Sequence, residues 1–473
     1  METSLFGIVY VFFVVLLLLR QKNAFENLVL LCVVTETFVE LGIVVKVGTT
    51  EMSPAKFVGH VLSFYCLFNY KTLPPRLLRI WLALLLCYLI PVLLLAIFPS
   101  NMYVASGDIT WDAILIHGER PVYPTVSGEV IKMTLRLIVY SFTVVYILNT
   151  YTQQMYRRLL INVAKCCVFF LIIGCVEFLC KNLLGLNDMW EFGKTLLFGD
   201  TKYTFHGRLR GSLYELELFT KETSHFAYTM FLSAIIIMTN NILKYGKLTS
   251  RSFFLCLFLI IVSTSFSGLM FILALLCIML VYRWSVEKPR TTKMEIVSLI
   301  ALTIVSVSSL AVILSYTSNG FVGGRLFFLY DNFEAFVTTD WSYNNSLAYT
   351  DGSTMIRLVS VIQTLMAFST RPIFGFSIHS IVCHGSTAMF LANVGVVGMY
   401  FWIKFYFYSY PKKVFQPPIP KPYLISIIIY LFVNLLNSYL LLPFHGLTPL
   451  LISVCFCYMF NKSNVKMISL HEK

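Results

Sequence analysis

The chain has 473 residues, of which 58% are hydrophobic and only 12% charged, with a mean hydropathy of +0.77. A soluble chain of that length divides into several domains; here the apolar runs are too long and too many, and the class is a polytopic membrane protein. The net charge of +13 would suggest nucleic acid on a soluble chain, but on a membrane chain it reports cytoplasmic loops rich in Lys and Arg, so no nucleic-acid partner is expected.

The first apolar run has no basic segment before it and no A-x-A site, and Arg20 and Lys22 follow it. It reads as a first spanning helix with its N-terminus outside, not as a cleaved leader. Counting ~20 residues per crossing predicts roughly 13 spans, with 12 or 14 as neighbouring counts. They centre near residues 12, 35, 64, 88, 142, 170, 233, 257, 275, 305, 397, 431 and 453. The small polar run 263–268 predicts a tight hairpin between the eighth and ninth. Alternate short connectors carry Arg20; Lys71, Arg76 and Arg79; Arg157 and Arg158; Lys244, Lys247 and Arg251; Arg283; Lys412, Lys413 and Lys421; and Lys462. These loops are predicted to face the cytoplasm, and the long connectors 99–131, 181–223 and 316–384 the other side. The expected fold is therefore one all-α domain over 1–473, a polytopic bundle of transmembrane helices with two long functional loops, 181–223 and 316–384, on the extracytoplasmic face. Eleven of the 12 Cys lie in apolar runs, where a free thiol acts as a small hydrophobe.

Within the loop 181–223, Arg208 and Arg210 stand beside glycines and suit bidentate contact with a phosphate or pyrophosphate; a solvated basic loop at headgroup level is the equal alternative. Glu222, just before the seventh span, suits a general base or a saccharide acceptor, or equally a helix N-terminal acid. His225 reads as an interfacial residue. Glu36 and Glu40 share a helix face, and Lys165 and Glu177 lie in another span; pairing within the bundle is the expected role. No metal-ligand spacing, nucleotide loop or cofactor motif is present, so neither metal nor cofactor is expected. A sugar donor on the outer side would then have to be carried by lipid.

The stretch 353–400 draws these elements together. Its first part predicts an amphipathic helix with Arg357, Ser360, Gln363, Thr364 and Arg371 on one side, turned to water or to an anionic ligand, and Leu358, Ile362, Leu365 and Met366 on the other. Pro372 and Gly375 break it. His384 then opens a membrane-length run in which Gly395 and Gly398 are expected to let a neighbouring helix approach closely.

This register resembles the signature of the bacterial O-antigen polymerase and O-antigen ligase superfamily. That signature has an Arg, a Pro-x-x-Gly turn 15 residues on, and a His followed by Gly at +11 and +14; here these are Arg357, Pro372, Gly375, His384, Gly395 and Gly398. Residues 221–227, KETSHFA, are similar to the family's Glu-Pro-Ser-x-x-Ala element, with Thr223 for Pro, and an Arg lies upstream, either Arg208 or Arg210. Phe266 stands where a hairpin Arg is usual. The resemblance covers about 200–400.

The resemblance implies a GT-C-like, metal-independent membrane glycosyltransferase of the bacterial inner membrane. Its substrates would be saccharides on undecaprenyl pyrophosphate, with a chain-length regulator as a further partner. The polymerase of the family extends lipid-linked repeat units, and the ligase transfers the chain to lipid A–core. The residues 221–227 are closer to the polymerase version. Arg357 and Arg208 or Arg210 would hold pyrophosphate. His384 would orient it or act on the acceptor hydroxyl, with Glu222 as the second candidate base. A flippase of lipid-linked saccharide is the rival from another class.

Overall fold

The structure, a computed structural model, describes residues 3–20, 23–47, 50–69, 73–100, 123–199, 209–210, 213–220, 222–263, 265–287, 352–415, 418–435 and 446–461. They are mostly helical. In chain order the elements are α1 (Leu5–Leu19), α2 (Ala24–Phe38), a hairpin of β1 (Val45–Val47) and β2 (Thr50–Met52), α3 (Pro54–Phe68), α4 (Pro75–Ile97), α5 (Gly128–Thr150), and α6 (Gln153–Phe178), extended by a π turn (Leu179–Leu183). Then come α7 (Asn187–Phe198), a second hairpin of β3 (Leu209–Arg210) and β4 (Leu213–Tyr214), α8 (Thr223–Tyr245), α9 (Arg251–Val262), α10 (Phe266–Tyr282), α11 (Gly352–Thr370), α12 (Ser386–Tyr408), α13 (Pro411–Val414), α14 (Lys421–Val433) and α15 (Thr448–Phe460). Both hairpins are antiparallel, with Val45 opposite Met52 and Arg210 opposite Leu213. Twelve of the expected span centres fall on these helices, and α9 ends at Val262 with α10 beginning at Phe266, where the hairpin is expected; the centre near 305 lies outside the described residues.

Among the described residues, six helical segments are long and apolar enough to cross a membrane: Pro75–Ile97, Gly128–Thr150, Gln153–Leu183, Thr223–Tyr245, Ser267–Val286 and Ser386–Val414. Helix starts are set by hydroxyl caps: Ser4, Ser53, Ser127, Thr152 and Ser250 each accept a backbone N–H of the first turn. The bundle is built around α8, 94% of whose apolar window is buried, packed by α6, α9, α10 and α15. Its hydroxyls are satisfied inside the bundle: Ser233 donates to Thr229 O and Thr239 to Ile235 O, both at 2.8 Å, and Thr229 donates to Thr37 O of α2 at 2.9 Å. Lipid offers such groups no partner, so they must be paired within the protein. By contrast α1, α4 and α10 expose Phe12, Leu93 and Leu273, as a bilayer-facing perimeter does.

The basic ends of the helices gather on one side. Arg158 meets Glu26 at 3.1 Å, Lys413 donates to Leu148 O, and Tyr458 donates to Gln153 O at 2.8 Å. The other side carries Glu36, Glu40, the start of α8 and the start of α15, where Leu447 N donates to Glu36 at 3.1 Å. Reporter fusions placed in 181–223 or 316–384 should therefore signal from the extracytoplasmic side, and fusions after Lys247 or Lys412 from the cytoplasm. A cytoplasmic signal from either long loop would reverse the topology.

Two elements differ from expectation. The loop 181–223 is not all loop: its first residues finish the π turn, and α7 follows. Asn187, Glu191, Lys194 and Phe198 of α7 face inward, while Met189, Phe192 and Leu196 are exposed. The second is α12, which is not one continuous helix. Gly395 has φ +69° and ψ −177°, and the helix is broken there. The segment 372–377 clasps the break: Phe376 N donates to Ala392 O at 3.0 Å, Ser377 N to Asn393 O at 2.8 Å, Val396 N to Pro372 O at 2.8 Å and Val397 N to Ile373 O at 3.3 Å. The Asn393 side chain adds a pair of 3.0 Å bonds to both backbone groups of Ile381. The close approach at Gly395 is thus to the backbone of Ile373 and Phe374, not to a neighbouring helix. Only Gly398 faces one, with α4's Cys87 at 3.6 Å from where a Cβ would be.

Candidate functional site

The end of the bundle away from the basic loops holds three polar clusters. The first fixes the start of α8. Lys181, wholly buried, lies 3.1 Å from Glu177 Oε1 and 2.6 Å from Glu191 Oε1. Lys194 lies 3.3 Å from Glu191 Oε2 and 3.1 Å from Glu217 Oε2. Glu177 also accepts Glu217 N at 3.3 Å and Leu218 N at 2.7 Å. Three carboxylates and two ammonium groups thus bind 213–220 to the end of α6, and Leu218 takes a positive φ of 51° to make the turn. Burial pushes the Glu217 carboxyl up to about 7, against the pull of the Lys194 and Lys181 ammonium groups.

The clamped loop delivers Phe219 to the end of α2, where its carbonyl accepts both Glu40 N at 2.9 Å and Leu41 N at 3.0 Å. It then delivers Glu222, the exposed N-cap of α8, whose carboxylate accepts from Ser224 Oγ at 3.2 Å. Thr223 donates to Glu215 Oε2 at 2.6 Å. His225 Nδ1 lies 2.8 Å from Glu40 Oε2.

The second cluster lies inside the bundle. Glu36 is buried and accepts Leu447 N at 3.1 Å and Cys32 Sγ at 3.5 Å. Facing it, the Arg136 guanidinium lies 5.3 Å from the Tyr140 ring, on which His60 stacks at 5.8 Å. Arg136 lies within electrostatic reach of the Glu36 carboxyl. Lys165, by contrast, is exposed, and the Glu177 partner is Lys181, one helical turn away.

The third cluster is the turn before α12. His384 is half-buried, and its backbone N donates to Ser360 Oγ of α11 at 3.2 Å. Gly385 N donates to Cys383 Sγ at 3.1 Å, and Thr387 Oγ1 donates to Leu431 O of α14 at 3.0 Å. Ser360 and Thr364 are fully buried, while Met366 is exposed. Ser360 and Thr364 therefore turn not outward to water but inward onto the His384 turn, where the Ser360 hydroxyl meets the His384 amide. Arg357 lies in α11, three residues before Ser360. Arg210 lies in β3 opposite Leu213, and Arg208 lies outside the described residues. Arg371 donates to Phe98 O and stands over the Phe376 ring at 5.1 Å, beside an open apolar groove lined by Leu94, Phe98, Pro372 and Ile373.

Among the described residues no group of three or more His, Cys, Asp or Glu is arranged to hold a metal ion. The helices define a multi-pass membrane protein. Comparison with protein-family models, curated proteins and solved structures finds no match.

Proposed function

We propose that this protein is a surface-polysaccharide polymerase of the O-antigen polymerase type, a GT-C-like glycosyltransferase of the bacterial inner membrane. It transfers a growing glycan from undecaprenyl pyrophosphate onto a lipid-linked repeat unit at the extracytoplasmic face. Two observations support the reading: the start of α8, with Glu222 and His225, and the turn at His384 before α12 both lie on the side opposite the basic ends, and the signature register runs over 353–400. The apolar groove beside Arg371 suits a substrate with a prenyl tail and a charged head. Arg357, with Arg208 or Arg210, neutralises the pyrophosphate leaving group; His384 orients it; Glu222 contacts the acceptor saccharide.

A flippase has one observation in its favour, the broken helix α12, since discontinuous helices line many transport sites. In this chain the amides and carbonyls freed at the break are taken up by 372–377, so the break offers no vacant coordination site there.

The test is purified protein in nanodiscs with lipid-linked repeat units, chelator and no nucleotide sugar; a polysaccharide ladder is expected. Arg357→Lys should lose the ladder nearly as fully as Arg357→Ala, because lysine lacks the planar fork that makes two parallel bonds to pyrophosphate. A ladder that needs Mg²⁺ or Mn²⁺, or a normal ladder from Arg357→Lys, counts against the assignment.

A further inference from the structure

We propose that His225, held by Glu40, takes the proton of the acceptor hydroxyl; this assignment rests on the glycosyltransferase reading above and gives it a base. The two residues are 185 positions apart and are brought to 2.8 Å, Nδ1 to Oε2. Both sides of the contact are fixed by backbone. On one side Glu40 and Leu41 donate to Phe219 O; on the other Phe219 belongs to the loop that Glu177 binds through Glu217 N and Leu218 N. The end of α2 and the start of α8 are therefore one rigid corner, with the two side chains mostly shielded, at 14% exposure for His225 and 24% for Glu40.

An ionised carboxylate accepts the Nδ1–H of the ring. That sets the tautomer, so Nε2 is the nitrogen that takes a proton, and it stabilises the imidazolium once formed. His225 is the third residue of α8, where the N-terminal amides oppose positive charge on the resting ring. Glu40 offsets the positive charge that develops on the ring as it takes the proton. Glu222 is tied to the Ser224 hydroxyl instead.

In the step, the acceptor O–H bond breaks and its proton passes to Nε2. The oxygen forms a bond to the anomeric carbon of the donor glycan. The bond from that carbon to pyrophosphate breaks, and its electron pair leaves on the pyrophosphate oxygen. The imidazolium then returns its proton to water.

The experiment uses the full chain in nanodiscs with lipid-linked repeat units, with rates taken per mole of monodisperse protein. His225→Ala is expected to lower the rate about 100-fold or more, as loss of a general base does, and added imidazole should restore part of it. Glu40→Gln, at the positioning residue, should lower kcat with little change in KM and should gain nothing from imidazole; a purely structural role would reduce the amount of folded protein and leave the rate per folded molecule unchanged. His225→Gln keeps the side-chain volume and serves as the second variant. A wild-type rate in His225→Ala or His225→Gln overturns the base assignment and leaves the transferase reading standing. A wild-type chain inert on lipid-linked saccharides overturns the transferase reading itself.

Discussion

Gly395→Ala is expected to leave little folded protein in the membrane. The backbone there has φ +69° and ψ −177°, a conformation essentially confined to glycine, and holding another residue in it costs about 1–3 kcal/mol. The steric cost is added to this. A Cβ would fall inside contact distance of the Ile373 carbonyl and 2.6 Å from Phe374 N, both main-chain atoms that cannot rotate away. Yielding means pulling 372–377 off the break and losing its four backbone bonds, two of them to the buried Ala392 and Asn393. Gly398→Ala should do less harm, because its tight neighbour is the Val394 side chain and the backbone there is helical. Immunoblots of membranes and size-exclusion profiles of detergent-solubilised protein read the difference. Gly395→Ala at wild-type abundance with an unchanged thermal midpoint would show that the break is not needed.

Lys181→Met should be the most damaging single change among the charged residues. It leaves Glu177 and Glu191 facing each other without the ammonium between them, and removing one partner of a buried pair typically costs about 3–5 kcal/mol. The variant Lys181→Met/Glu177→Gln should recover part of the loss, since the orphaned charge goes with its partner. A single variant melting within about 1 kcal/mol of wild type would mean the network is a by-product of folding. The same network predicts a pH dependence. The folded chain holds a proton on Glu217 up to about 7, whereas the ordinary carboxyl value is 4.5. Folding therefore takes up a proton between those values, so this group favours the fold most fully below 4.5 and its contribution fades as pH rises through 7. The thermal midpoint should fall from pH 5 to pH 8 in wild type more than in Glu217→Gln.

The apolar runs were legible as helices because spanning length and the missing charges leave few alternatives, and the 263–268 turn showed itself as small polar residues between two such runs. What misled was phase. Expecting both Gly395 and Gly398 to admit a neighbouring helix assumes a constant 100° per residue through the run, but a helix that stops at Gly395 restarts its phase there. A glycine inside an apolar run looks the same whether it packs or breaks. On α11 the expected direction of Ser360 and Thr364 is reversed: the surface-helix rule turns such hydroxyls to water, whereas both are buried against the turn before α12. The inward stripe of α7 was hidden for the same reason. Its spacing, Glu191 to Lys194, and that of Glu177 to Lys181, are the signals that could have shown it. For the candidate site, residues 221–227 point to Glu222 and read His225 as interfacial; the structure adds the 2.8 Å contact of His225 with Glu40. Glu40, 185 positions earlier, has no local signal of that contact. Arg136 was missed as well, although a lone arginine inside the Gly128–Thr150 run is the kind of intramembrane charge that needs a partner.

The clasp at α12 has a consequence for how the chain enters the bilayer. A helix released alone into lipid must satisfy its own main chain, and 386–408 cannot: the carbonyls of Ala392 and Asn393 and the amides of Val396 and Val397 find their partners only in 372–377. Each group left bare in hydrocarbon carries a penalty of several kcal/mol. Because 372–377 precedes 386–408 in the chain, it is already made when the helix emerges. The two should leave the lateral gate as a preformed pair, so that the unit of insertion for this part of the chain is the re-entrant hairpin and not the single span.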